Sequence, residues 1–138
     1  MSSLEVKIPV GLTCKDRFKV KPEHTAKILG SGGVEVLSTP SMIAFMENVA
    51  WRCVEKYLPE DYTTVGVKVS IEHLNPAPVG AEVTVEAKLV KVEGRKLIFE
   101  VKTFWNNLKM GEGIHERYII NKAKFNSKVK ELTRKLIG

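Results

Sequence analysis

The chain has 138 residues, 43% of them apolar and 28% charged, a mixture that builds one compact domain with a real core and excludes a disordered or fibrous chain. Net charge is +6, but six basic side chains against the single acid Glu131 fall in residues 122–138. The excess therefore sits in one terminal segment with Phe125 as its only aromatic, which argues against a nucleic-acid surface.

MSSLEVKIPVGL at the N-terminus carries no apolar signal core, and no apolar run is long enough to span a bilayer, so a cytoplasmic protein is expected. Residues 13–20, TCKDRFKV, read as a weak first strand, EHTAKIL as a short helix ending at Gly30, and GSGG as a loop. Residues 40–58 give the strongest helical signal. Met42, Phe45, Met46, Val49, Ala50, Cys53, Val54 and Tyr57 recur at three and four, Thr39 stands at the expected N-cap, Pro40 at the first turn, and Pro59 beyond the end. Four strands follow, at roughly 64–73, 81–92, 95–105 and 110–120. The short links EGR and NNLK imply antiparallel neighbours. Residues 122–137 read as a basic helix with a solvated face. Cys14 and Cys53 have neither C-x-x-C nor metal-ligand spacing and are expected to be free thiols.

A long helix that is apolar over more than half its circumference must be well covered, most simply by a sheet curled round it. The expected class is α+β, a hotdog fold in a single domain over 1–138. Its exposed sheet edges favour dimerisation.

His73 extends the alternation Val65, Val67, Val69, Ile71 as an imidazole on an apolar face, just before a loop bounded by Pro76 and Pro78. A satisfied structural histidine is the plain reading; strand ends also carry functional groups. Glu47 borders the apolar stripe of the helix. Ala50 and Trp51 occupy i+3 and i+4, so the usual helical cation partner is missing, and base chemistry stands beside a solvated role. Thr39 is explained by capping alone. At eight residues, about 12 Å of helix rise, it is too far to touch Glu47 directly. Gly66 interrupts a β-branched run, as a bulge or as a backbone N–H turned to an oxyanion. In GEGIHERYII, His115 and Arg117 share a face; a polar strand edge suits His115, and Arg117 could orient a carbonyl or a phosphate. Three histidines at 24, 73 and 115 have no metal-ligand spacing.

STPSMIAFMENVA, VGVKVSIEHLNPAPVGAEVTVEAKLVKVEGRKLIFEV and GEGIHERYIINKAKFNSKV together resemble the fluoroacetyl-CoA thioesterase-like group of hotdog proteins, from about Val36 to Val129. The resemblance implies a homodimer hydrolysing acyl-CoA thioesters at the subunit interface. Thr39, Glu47 and His73 would be the catalytic set, with Gly66 and Arg117 binding substrate. It implies no metal and no resident cofactor, coenzyme A arriving as part of the substrate, and no membrane or nucleic-acid partner. AKILGSGGVEVL, before Thr39, lacks the aromatic residue a fluoroacetyl-specific lid would carry. The alternative is a hotdog protein that binds acyl-CoA or an acyl carrier without cleaving it. A hotdog hydratase would pair an Asp and a His close in sequence, and the nearest aspartate to His73 is Asp61, before the strand.

Overall fold

The computed structural model describes residues 6–138. Strand β1 (Thr13–Lys19) is followed by a 3-10 turn at Pro22–His24 and a one-turn helix α1 (Ala26–Leu29), so the EHTAKIL segment is broken in two. Helix α2 spans Thr39–Glu55. Then come β2 (Tyr62–His73), β3 (Glu82–Glu93), β4 (Lys96–Trp105), β5 (Leu108–Asn121) and α3 (Lys122–Ile137). The strands form one antiparallel sheet in the order β1-β3-β4-β5-β2. The short links make β3-β4-β5 a meander, but the four consecutive neighbours expected from chain order are not formed: the longer link after β2 lets that strand pair with β5, and β1 takes the place beside β3. Gly94, at φ 61°, makes the two-residue turn from β3 to β4, and Asn106, at φ 53°, turns β4 into β5.

The apolar stripe of α2 is the centre of the core. Met42, Phe45, Met46, Val49, Ala50, Cys53 and Val54 are buried, covered by Val83, Val85, Ala87 and Leu89 of β3, Leu97, Phe99 and Val101 of β4, and Met110 and Ile119 of β5. Each fully buried side chain of this size contributes about 1.5–3 kcal/mol relative to exposure, so helix and sheet each depend on the other for cover.

Two local details differ from the sequence reading. Ser38, not Thr39, caps α2: its Oγ accepts from the Ser41 N–H at 3.1 Å, which leaves the Thr39 hydroxyl free for another partner. Cys14 and Cys53, expected as free thiols, form a disulfide, with their Cα atoms 5.7 Å apart. Cys14 lies on the half-buried face of β1 and Cys53 on the buried stripe of α2, so packing helix on sheet brings together two residues 39 apart in sequence.

Strand β2 is an edge strand, paired only with β5, and it contains a bulge. Gly66 pairs with Arg117 and Lys68 with Glu116, leaving Val67 as the extra residue. The bulge breaks the apparent alternation. Val65 stands opposite Tyr118 on the outer face, whereas Val69 stands opposite the buried His115, and Ile71 and His73 follow it on the inner face. No residue of α3 is buried, and Phe125, Val129, Leu132 and Leu136 form its exposed apolar stripe. No helix among the described residues is long and apolar enough to cross a membrane.

Candidate active site

The first group of polar side chains joins the start of α2 to the end of β2. Thr39 Oγ1 lies 2.7 Å from His73 Nδ1. His73 Nε2 is buried and has no hydrogen-bond partner among the described residues. Burial lowers the His73 pKa below the usual histidine value, and the Asn75 backbone offsets part of this. The imidazole is thus neutral near pH 7. Val36, Leu74, Asn75 and Pro76 complete an open cleft of about 320 Å³ around the pair.

The second group lies farther along α2. Glu47 projects onto β2 at Gly66, where a Cβ would come within 2.7 Å of Glu47 Oε2, 3.2 Å of His115 Cε1 and 3.3 Å of Arg117 Nη1. Only glycine lets these three side chains close on the strand. The cation that α2 itself does not supply to Glu47 comes from β5: Arg117 Nη1 stands 3.9 Å from Glu47 Oε2. Arg117 is 6% exposed; its Nε donates to Thr64 Oγ1 at 2.8 Å and its Nη2 to the Thr64 carbonyl at 3.0 Å. His115, expected at a polar strand edge, is 1% exposed. Its Nε2 lies 3.1 Å from Arg117 Nη1 and its Nδ1 2.9 Å from the Lys68 carbonyl oxygen. The signal for it in the sequence is its i, i+2 relation to Arg117, which puts both on one face of a strand.

Thr39 and His73 therefore meet, as do Glu47, Gly66 and Arg117, but the two groups stand apart in the chain. Gly66 and His73 are seven residues apart on one strand, but Val67 is the bulge, so they stand opposite Arg117 and Gly111, six residues apart on β5, or about 20 Å at 3.4 Å per residue. Both groups line the free side of the sheet at β2, one toward each end of the same edge strand.

The fold is shared with solved proteins of one class. A hypothetical protein of Thermus thermophilus, a thioesterase superfamily member, matches with TM-score 0.87 and 28% identity over 94% of this chain and 96% of its own. A hot-dog-like protein from Thermanaerovibrio acidaminovorans matches with TM-score 0.83 and 26% identity over 89% and 91%. The antiparallel sheet and its buried helix are those of a hotdog-fold thioesterase. The family is narrower still. The model of the fluoroacetyl-CoA-specific thioesterase family, FlK, matches residues 20–123. The fluoroacetyl-CoA thioesterase of Streptantibioticus cattleyicolor is 36% identical over 99 residues, 72% of this chain and 71% of that one. A point mutant of FlK superposes with TM-score 0.87 at 32% identity, over 94% of this chain and all of the other. The chain belongs to the fluoroacetyl-CoA-specific thioesterase family and is a thioester hydrolase.

Proposed function

We propose that this protein hydrolyses an acyl-CoA to the free acid and coenzyme A, at two sites in a homodimer. Each site would take Thr39 and His73 from one subunit and Glu47, Gly66 and Arg117 from the other. The observation that carries the reading is the separation of the two groups along an exposed edge strand. A two-fold axis through the middle of β2 exchanges its ends, so the Thr39–His73 end of one copy meets the Glu47–Gly66 end of the next. Pairing there would also cover the free edge and its exposed Val67 and Val69.

In this reading His73 Nδ1–H donates to Thr39 Oγ1, which leaves the buried Nε2 as a base without a partner beside the cleft. Glu47 takes a proton from water as the hydroxide adds to the thioester carbonyl; in the covalent variant Glu47 attacks the carbonyl itself, the thiolate leaves from the mixed anhydride, and water deprotonated at His73 Nε2 then cleaves that anhydride, freeing acid and Glu47. The Gly66 N–H faces the oxyanion. When the C–S bond breaks, the proton removed from water passes through His73 Nε2 to the departing thiolate, and both groups return to their starting state. Arg117 holds the Glu47 carboxylate against Gly66. No resident cofactor or metal is needed, and coenzyme A enters with the substrate. A point mutant of FlK has been solved with fluoroacetate and CoA. In this chain the segment over the Thr39 cleft carries Val34 and Val36 and no aromatic residue, which supports acyl groups other than fluoroacetyl.

Mixing two inactive variants tests the shared site. Thr39→Ala and Glu47→Ala chains, unfolded and refolded together, should recover about a quarter of the parent activity per chain, since random pairing makes half the dimers mixed and each holds one intact site. Activity that stays at the level of the separate variants would place the whole site within one chain. Binding of acyl-CoA by the parent without thiol release would favour the carrier-binding alternative.

A further inference from the structure

The geometry points to His115 as a positioning residue that sets the Arg117 guanidinium and the β2 bulge in place for Glu47, an inference that rests on the acyl-CoA hydrolase reading. His115 sits between two partners with opposite demands. The Lys68 carbonyl can only accept, so the His115 Nδ1 at 2.9 Å must carry the proton. The Arg117 Nη1 can only donate, so the His115 Nε2 at 3.1 Å must be bare. One neutral tautomer satisfies both, and neither the other tautomer nor the imidazolium does.

The two bonds act on the two sides of Gly66. Lys68 is the residue at which β2 regains its register after the bulge, so its bond to His115 fixes where the bulge ends. Arg117 stands opposite Gly66, with Nη1 placed both toward Glu47 Oε2 and 3.3 Å from where a Gly66 Cβ would be. With Thr64 holding Nε and Nη2, the remaining nitrogen, Nη1, stands between His115 Nε2 at 3.1 Å and Glu47 Oε2 at 3.9 Å, so His115 fixes the nitrogen that faces Glu47. The surroundings suit a neutral ring: Phe99 of β4 lies beside it with ring centroids 6.4 Å apart, and burial lowers its pKa. The charged groups near it are Arg117 on its own strand, which opposes protonation, and Glu47 of α2 and Glu116 on the opposite face of β5, which favour it. Burial is the largest of these influences, and the Lys68 backbone bond works against it.

Three substitutions separate positioning from mere packing. His115→Phe fills the space with neither bond. His115→Gln can place a carbonyl oxygen near the Nε2 position and accept from Arg117. His115→Asn can donate to the Lys68 carbonyl but cannot reach Arg117. With acyl-CoA at saturation, kcat should fall about tenfold or more in the Phe and Asn variants, with KM changed by less than about threefold, and the Gln variant should recover most of the loss. The idea is overturned if the Phe variant keeps kcat within about twofold of the parent, or if all three variants lose activity in step with their melting temperatures. Nitrogen NMR of the parent gives an answer independent of turnover. It should show His115 protonated at Nδ1 alone at pH 7, and a slowly rotating Arg117 guanidinium that is freed in His115→Phe but not in His115→Gln. A ring protonated at Nε2, or an Arg117 signal unmoved by the Phe substitution, rejects the proposal. A parent that releases thiol from no acyl-CoA rejects the functional reading, while the NMR result still decides the His115–Arg117 contact.

Discussion

Thr39 Oγ1 lies 2.7 Å from His73 Nδ1, joining the first residue of α2 to the last residue of β2. The contact exists because Ser38 has taken over the cap, so the threonine hydroxyl is not spent on the helix N-terminus. Thr39→Val keeps the shape and removes the acceptor that orients the imidazole. A kcat loss of roughly 10- to 100-fold is expected, with Thr39→Ser close to the parent. A valine variant as active as the parent on every acyl-CoA that the parent cleaves would show that the hydroxyl does not orient His73.

His73→Ala and Glu47→Ala should each lower kcat by about 100-fold or more, the usual order for a lost acid or base, while the fold survives. Circular dichroism and thiol release measured on the same samples check both halves of this statement.

Gly66→Ala forces its new methyl group against the Glu47 carboxylate, the far end of a flexible side chain. Glu47 can swing aside at little cost, and the buried His115 and Arg117, at 3.2 and 3.3 Å, need give only a few tenths of an ångström, but Glu47 then no longer rests where Arg117 holds it. Turnover should fall by roughly 10- to 100-fold with a melting temperature within a few degrees of the parent. Unchanged turnover would mean that the Glu47 position against β2 is immaterial to catalysis.

Both His73 and His115 have pKa values lowered chiefly by burial. A ring kept neutral in the fold stabilises it fully above the unfolded histidine pKa of about 6.5, and this contribution is lost as pH falls through the lower folded values. Stability measured by urea unfolding should therefore decline below about pH 6.5, less steeply in His115→Gln. The acid limb of kcat/KM should also lie below 6.5, because it follows the neutral form of His73. An acid limb above that pH contradicts the assignment.

The Cys14–Cys53 bond ties β1 to the helix that carries both Thr39 and Glu47. Closing a loop across 39 residues of separation should stabilise the fold by about 2–4 kcal/mol. Reduction, or Cys14→Ser, should lower the melting temperature accordingly. Thiol titration of the unfolded, unreduced protein should find no free cysteine.

The sequence by itself determined the elements and the fold class. The three-and-four spacing from Met42 to Val54 can only describe a helix covered on most sides, and the short links from β3 to β5 can only make antiparallel neighbours. It also carried the family, through residues spread over most of the chain. The tertiary structure alone decided what each polar residue touches, because those contacts are made between elements distant in the chain. Periodicity placed Val65 and His73 on one face, and the bulge at Val67 put them on opposite ones. Charge suggested an exposed His115, and pairing between Phe99 and Val69 buried it. Glu47 lacked a cation within its helix and gained one from β5, while two cysteines without a motif became neighbours when helix met sheet. Local sequence sets backbone preference and burial pattern; the register of an edge strand and the docking of a helix are set by the summed packing of the whole core.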